Sequence, residues 1–308
     1  MKNICKNCGP TSISIRKGRK ECKNCENSKR RSKKNASSIG VKTFLQAAKC
    51  FAPSVSSTKF YTVVSDVHIP HHDKEAVTTV LEYVKDLRPH GIVYNGDILD
   101  FYEISRFNSG SLKKLENQRF KDTWDQGNAF LDNFMKAAGN RLEEQYWNDG
   151  NHEDRLARWI EHEGNGVFAD DEAFSIPGRL KLKERGITYN PVSDKAYVKL
   201  GHLLITHGRF ATKYSAAKHL DTYRHSILIG HTHSPQVFFG PGFLHPQVCY
   251  VSGHLADTKS VAMDYSSEPN AWVQGFATVA VKKSGNFSVQ LHTLWDGQFE
   301  VGGTTYGE

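Results

Sequence analysis

Nowhere does the 308-residue chain hold an apolar run near the length of a membrane span, which excludes a spanning helix on sequence grounds. Its opening, MKNICKNCGP, lacks the apolar stretch of a signal peptide. Together these predict a cytoplasmic protein that meets no membrane. Cysteine is scarce, six in all, and four of the six fall within the first 25 residues. Acid is nearly missing from the N-terminal piece: residues 1–49 hold 14 Lys and Arg against two Glu, a balance of +12. The remainder holds 26 basic and 31 acidic residues, a balance of −5. A basic head on a mildly acidic body points to a polyanionic partner, nucleic acid, for the head. No aromatic residue precedes Phe44, so the head can grip phosphates but cannot stack on bases.

What the head does contain is two CxxC knuckles, Cys5/Cys8 and Cys22/Cys25, with thirteen residues between them. Four thiolates so paired suit one tetrahedral structural Zn(II). Two disulfides are the alternative, disfavoured in a reducing compartment. A piece this small buries little core, so metal would supply most of its folding energy. It is similar to the small zinc ribbons attached to DNA- and RNA-handling proteins, and the clusters RKGRK and KRRSKK suit phosphate contact without base readout. The domain plan is a zinc-ribbon-like head over 1–34, a Ser- and Lys-rich linker over 35–58, one α/β domain over 59–300, and a frayed tail over 301–308.

Within the body, apolar β-branched runs alternate with helical spacing. Strands are expected at Phe60–Val64, Gly91–Tyr94, Glu144–Trp147, Ile187–Asn190, Ala196–Leu200, His202–Thr206, Ile227–Ile229, Gln247–Val251, Phe276–Lys282 and Phe287–His292. Helices are expected over Asp73–Leu87, over most of the insertion 101–148, and over 154–163 and 170–185. Five of the strands end in residues that bind metals: Asp66 and His68, then Asp97, then Asn151 and His152, then His207, then His231 and His233. On an extended strand end, Asp66 and His68 would point to the same side, and a carboxylate with an imidazole suits a borderline-hard divalent ion. Alone, each piece reads as well as a polar turn or a core histidine. Together, at the carboxyl ends of strands, they share one crevice.

In that pattern the sequence resembles the calcineurin-like metallophosphoesterases, whose motifs stand here as DVH, GDILD, GNHE, THG and GHTH. The resemblance spans roughly residues 59–295. It implies a four-layer α/β/β/α sandwich holding two divalent metals (manganese, iron or zinc). It also implies the ligands: Asp66, His68 and His233 for one ion, Asn151, His207 and His231 for the other, and Asp97 for both. His152 is implied beside the leaving-group oxygen as general acid or electrostatic partner, with Asp100 orienting it; a helix-start cap is the alternative for Asp100. Protein phosphatases of this superfamily follow the second Asp of GDxxD with Arg-Gly, whereas Phe101 and Tyr102 follow it here. Arg106, Arg155 or Arg158 is then a candidate phosphate contact, and a surface salt bridge is the alternative for each.

The reading is a two-metal phosphoesterase tethered to DNA or RNA, hence a phosphodiesterase or nuclease, by analogy with phage-type genome-processing proteins in a host cytoplasm. A phosphatase for phosphoprotein or small phosphoesters is one rival. A nucleic-acid-binding adaptor with an inactive metal site is another, and the complete ligand set argues against it.

Overall fold

The computed structural model describes residues 58–108, 119–162, 166–169, 171–193, 196–242, 245–263 and 271–308, together with the backbone of four short strands near the N-terminus. It divides the chain into two units, 1–56 and 57–308.

In the larger unit the first strand, β1 (Thr58–Val64), sits inside a six-stranded sheet. On one side of it follow β2 (Gly91–Asn95), β3 (Glu144–Asn148) and β4 (Ile187–Asn190), each parallel to the one before. The second sheet holds β5 (Val198–Leu200), β6 (Leu203–Ile205), β7 (Ile227–Ile229), β8 (Gln236–Gly240) and β9 (Gln247–Val251) in the order β8-β9-β7-β6-β5. The chain then returns to the first sheet as β10 (Gly275–Lys282), antiparallel to β1, and β11 (Phe287–Thr293) at its edge.

Alternation along the strands builds the layers. Tyr61, Val63 and Val93 meet Leu203, Ile205 and Leu228 in a core between the sheets. Val64, Ile92 and Tyr94 point the other way, into a larger core with helices α1 (Lys74–Leu87) and α2 (Phe120–Ala138). Ile227 and Ile229 face outward from the second sheet onto Ala216 and Leu220 of a further helix, Ser215–Tyr223. The described residues thus stack as helix, sheet, sheet, helix. Asp73 caps α1 by accepting the N–H groups of Glu75 and Ala76.

Several sequence expectations are corrected. The helix expected over 170–185 reduces to a short turn at Glu172–Phe174 and one helical turn at Ile176–Arg179, because Pro177 and Gly178 can open a helix but do not propagate one. Most of the 101–148 insertion is α2 and two short turns, and residues 109–118 lie outside the described residues. The tail is not frayed. Phe299–Val301 pairs with Thr304–Tyr306 across Gly302 and Gly303, whose positive φ values of 60° and 82° match the two-residue hairpin turn that Gly-Gly favours. Tyr306 and Phe299 then pack on Tyr83 of α1, and Phe299 meets Phe276 and His292.

In the smaller unit, Ile4–Cys5 pairs with Gly9–Pro10 and Ile13–Arg16 with Arg19–Cys22, both antiparallel. The side chains of Cys5, Cys8, Cys22 and Cys25 lie outside the described residues, and so does the linker up to residue 57.

Candidate metal centre

Five strands, β1, β2, β3, β6 and β7, deliver their metal-type residues two to four positions past their last residue. The backbone there is not extended. Asp66, His68, Asp97, His231 and His233 all have positive φ, between 51° and 73°, a region that non-glycine residues enter at a cost. The strand alternation expected to align Asp66 and His68 is therefore corrected. β1 stops at Val64, and two left-handed residues turn both side chains toward one point. Backbone bonds hold the turn: Asp66 N–H donates to Gly96 O (3.0 Å) and His68 N–H to Asp97 O (2.9 Å). The motif glycines let the loops touch. A Cβ at Gly150 would collide with the Asp97 carboxylate, and one at Gly230 with the Asp66 carboxylate.

The side chains converge in two groups. In the first, the donor atoms of Asp66, His68 and His233 lie within 4.8 Å of one another; in the second, those of Asp97, His207 and His231 do. Asn151 joins the second group, its Oδ1 3.3 Å from His207 Nε2. Within that second group Asp97 has Oδ2 3.2 Å from His207 Nε2 and Oδ1 accepting the His152 N–H at 2.8 Å. Asp66, His68, Asp97, His207 and His233 are buried.

Hydrogen bonding indicates which ring atoms face the crevice. His207 Nδ1 lies 3.0 Å from the Asn95 carbonyl, which can only accept, so Nδ1 carries the proton. A neutral His207 then turns a bare Nε2 lone pair toward two oxygens, Asp97 Oδ2 and Asn151 Oδ1. His68 Nδ1 likewise faces Asp100 Oδ2 at 2.7 Å, leaving Nε2 bare against His233 Nε2 at 3.2 Å. Acceptors crowded on acceptors ask for a cation, which fits the family's two divalent ions. In the metal-free chain a proton answers instead. Burial disfavours it, yet Asp97 and Asp66 raise His207 to about 10. His68 and His231 are pushed down to about 4, chiefly by burial, and stay neutral. Burial opposes ionisation of Asp66 too, but His207 and His233 hold it below its ordinary range.

Asp100 is no helix cap. Buried at 1% exposure, it faces His68, lies 3.1 Å from His152 Nδ1, and takes Arg155 Nη1 at 3.3 Å. Arg155 Nη2 reaches His152 Nε2 at 3.0 Å. Arg155 lines the cleft above the crevice, as do Asn151, His152, Lys213, Tyr102 and Trp272; the cleft measures about 680 Å³. Arg106 is exposed and is not among the cleft-lining residues. Arg158 pairs with Asp154 at 2.9 Å, the surface salt bridge weighed for it.

Two residues escaped the sequence reading. Glu153, inside GNHE, is buried and accepts the N–H groups of Asp97, Leu99 and Gly150 at 2.8–2.9 Å, clamping two motif loops together. Burial, then Asp97 and Asp149, raise it to about 8. His254 follows β9, its ring 5.0 Å from that of His233. Its Nδ1 accepts the Ala256 N–H (3.2 Å), and its buried Nε2 has no partner among the described residues. A histidine just past a strand end is the same signal that marked the others.

The family model described as calcineurin-like phosphoesterase matches residues 61–257. Among relatives, the chain is 24% identical to the Gene 54 protein of Mycobacterium phage D29, over 80% of this chain and 98% of that protein. It is 22% identical to the Gene 54 protein of Mycobacterium phage L5, over 81% of this chain and 99% of that one. Among solved structures it resembles vacuolar protein sorting 29 from Cryptosporidium parvum, with a TM-score of 0.43 and 16% identity over 82% of this chain and 100% of that chain. No helix among the described residues is long and apolar enough to cross a membrane.

Proposed function

The chain belongs to the calcineurin-like phosphoesterase family and is a metal-dependent phosphoester hydrolase, and from that premise we propose that it is a phosphodiesterase acting on DNA or RNA. The observation that carries the phosphoester chemistry is the pair of side-chain groups, Asp66, His68 and His233 beside Asp97, His207 and His231. In this reading Asp66, His68 and His233 hold one ion, Asn151, His207 and His231 the other, and Asp97 both. When bound, two such ions supply charge stabilisation at the phosphoryl oxygens and activation of the attacking water. The chain's own part is positioning and proton transfer. Asp100 fixes the His68 tautomer and stands beside His152. Burial opposes a proton on His152, but Asp97 and Asp100 raise its pKa. That favours its protonated form, the form able to protonate a leaving oxygen. Arg155 is placed to meet a substrate phosphate at the rim.

The +12 balance of residues 1–49 supports a nucleic-acid substrate. So does the four-cysteine head, read as a ribbon around one structural Zn(II) held by Cys5, Cys8, Cys22 and Cys25; its two short hairpins are compatible with that reading. Likeness to phage proteins supports work in a host cytoplasm. The Phe101–Tyr102 pair after Asp100 weighs against a protein phosphatase.

The test compares the full chain with residues 57–308. With Mn(II), both should hydrolyse bis(p-nitrophenyl) phosphate in preference to p-nitrophenyl phosphate. The full chain should bind labelled oligonucleotides more tightly, with a salt slope steeper by roughly −0.9 for each duplex phosphate the head neutralises. Preference for the monoester, with equal affinities and salt slopes, would replace this reading with a small-molecule or phosphoprotein phosphatase.

A further inference from the structure

Leaving the crevice after His207, the chain reads Gly208-Arg209-Phe210-Ala211-Thr212-Lys213-Tyr214 and then enters helix Ser215–Tyr223. This segment is a loop by backbone, but it is fixed from beneath. His219 is fully buried, and its Nε2 accepts the Arg209 N–H at 3.0 Å. Its Nδ1 lies 2.8 Å from the Ser215 carbonyl. Ser215 Oγ donates to Phe210 O (2.8 Å), and Gln236 Nε2 donates to Lys213 O (3.2 Å). A solvent-facing lip so pinned keeps its shape without a ligand, which spares a ligand the ordering cost.

Its surface chemistry is unlike that of the surrounding body. From Gly208 to Leu220 there are three cations and no acid, in a body whose balance is −5. The cations stand on aromatic faces: Lys218 Nζ lies 4.4 Å from the Phe210 ring centre, and Lys213 Nζ lies 5.5 Å from that of Tyr214. Tyr214 is 70% exposed, so packing does not explain it. Ala211, Thr212 and Lys213 line the catalytic cleft, so the lip begins at the metal centre and leads away from it.

We infer that this lip is a track for single-stranded nucleic acid, in which Tyr214 stacks one nucleobase while Lys213 and Lys218 hold the phosphates beside it. The inference rests on the nucleic-acid reading above and adds what that reading lacks, a strand-binding surface on the body itself. A duplex hides its base faces, whereas a single strand offers one to an exposed ring, and any base will serve.

The experiment is a cycle between protein and substrate in the full chain. A single-stranded oligonucleotide carries one abasic site, scanned position by position, and KM is measured for the wild type, Tyr214→Ala and Tyr214→Phe. In the wild type, one abasic position should raise KM by about 5-fold or more, the low end of what one base–aromatic stack contributes. Tyr214→Ala should show less than about a twofold penalty at that same position, since the stack is already gone, and Tyr214→Phe should restore the wild-type pattern. Equal penalties in wild type and Tyr214→Ala, or no penalised position at all, overturn the track while leaving the nucleic-acid reading intact. A full chain that hydrolyses bis(p-nitrophenyl) phosphate but cleaves no oligonucleotide overturns both.

Discussion

This chain buries histidines in two ways. At the crevice, His68, His152, His207 and His233 are buried among Asp66, Asp97 and Asp100, with His68 and His233 on left-handed backbone. In the aromatic core around α1, His292 is buried just as deeply, at 3% exposure, but lies flat on Phe276 with its Nε2 2.5 Å from Thr278 Oγ1. One set has carboxylates and bare lone pairs facing each other; the other has a hydroxyl and hydrocarbon. Burial of an imidazole therefore says little about function. What separates the two regions is whether the neighbours leave a charge to be satisfied.

The strongest way to break that comparison is Asp97→Ala. If Asp97 holds both ions, as proposed above, the variant should lose both and more than about 100-fold in activity, beyond the 10–100-fold typical of a residue outside the ligand set. Elemental analysis showing full occupancy would return Asp97 to an ordinary buried carboxylate. Next comes His152→Ala, which should retain both ions but lose about 10²–10⁴-fold in turnover on substrates with poor leaving groups. Unchanged hydrolysis of an alkyl phosphodiester would move His152 into the structural class with His292. Smaller again is Asp100→Asn, which keeps the shape but removes the charge facing His68 and Arg155. An effect of about 10–100-fold on metal affinity or activity is expected, read by titrating metal into the chelated protein.

The mildest effect belongs to His292. Burial depresses its pKa from 6.5 to about 4, so as pH falls the unfolded chain takes up this proton first. Its contribution to stability is thus complete above pH 6.5 and is lost as pH drops from there toward about 4. The slope is at most about 1.4 kcal/mol per pH unit for one proton. Below the folded value both states are protonated and the slope flattens. NMR titration of the His292 ring checks it directly, and a midpoint near 6.5 would show that the core does not keep it neutral.

Much of the fold was legible because its strands are apolar runs with clear stops. Ile187–Asn190, Ile227–Ile229 and Gln247–Val251 stand where the residues placed them. β8 was not legible, because Val237, Phe238 and Phe239 are exposed on an edge strand and follow no inside–outside alternation. Helix Ser215–Tyr223 was missed because its nine residues bury only one narrow stripe, Ser215, Ala216, His219 and Leu220. At the site, residue types and order were readable, but the means of convergence was not, since φ at Asp66 or His233 leaves no mark in composition. Glu153 was overlooked because its carboxylate acts on backbone N–H groups, which no motif spells out.

Those left-handed residues bear on how the protein would evolve or be engineered. At positions 66, 68, 97, 231 and 233 a glycine would relieve a backbone cost of order 1–3 kcal/mol each while deleting a donor atom. A selection for heat resistance alone would therefore enrich Gly at these five places, and a selection for turnover would purge it. In a lineage released from the need for chemistry, these positions should be among the first to drift. A relative that keeps the rest of the pattern but carries Gly there is better understood as a retired enzyme than as one with a different substrate.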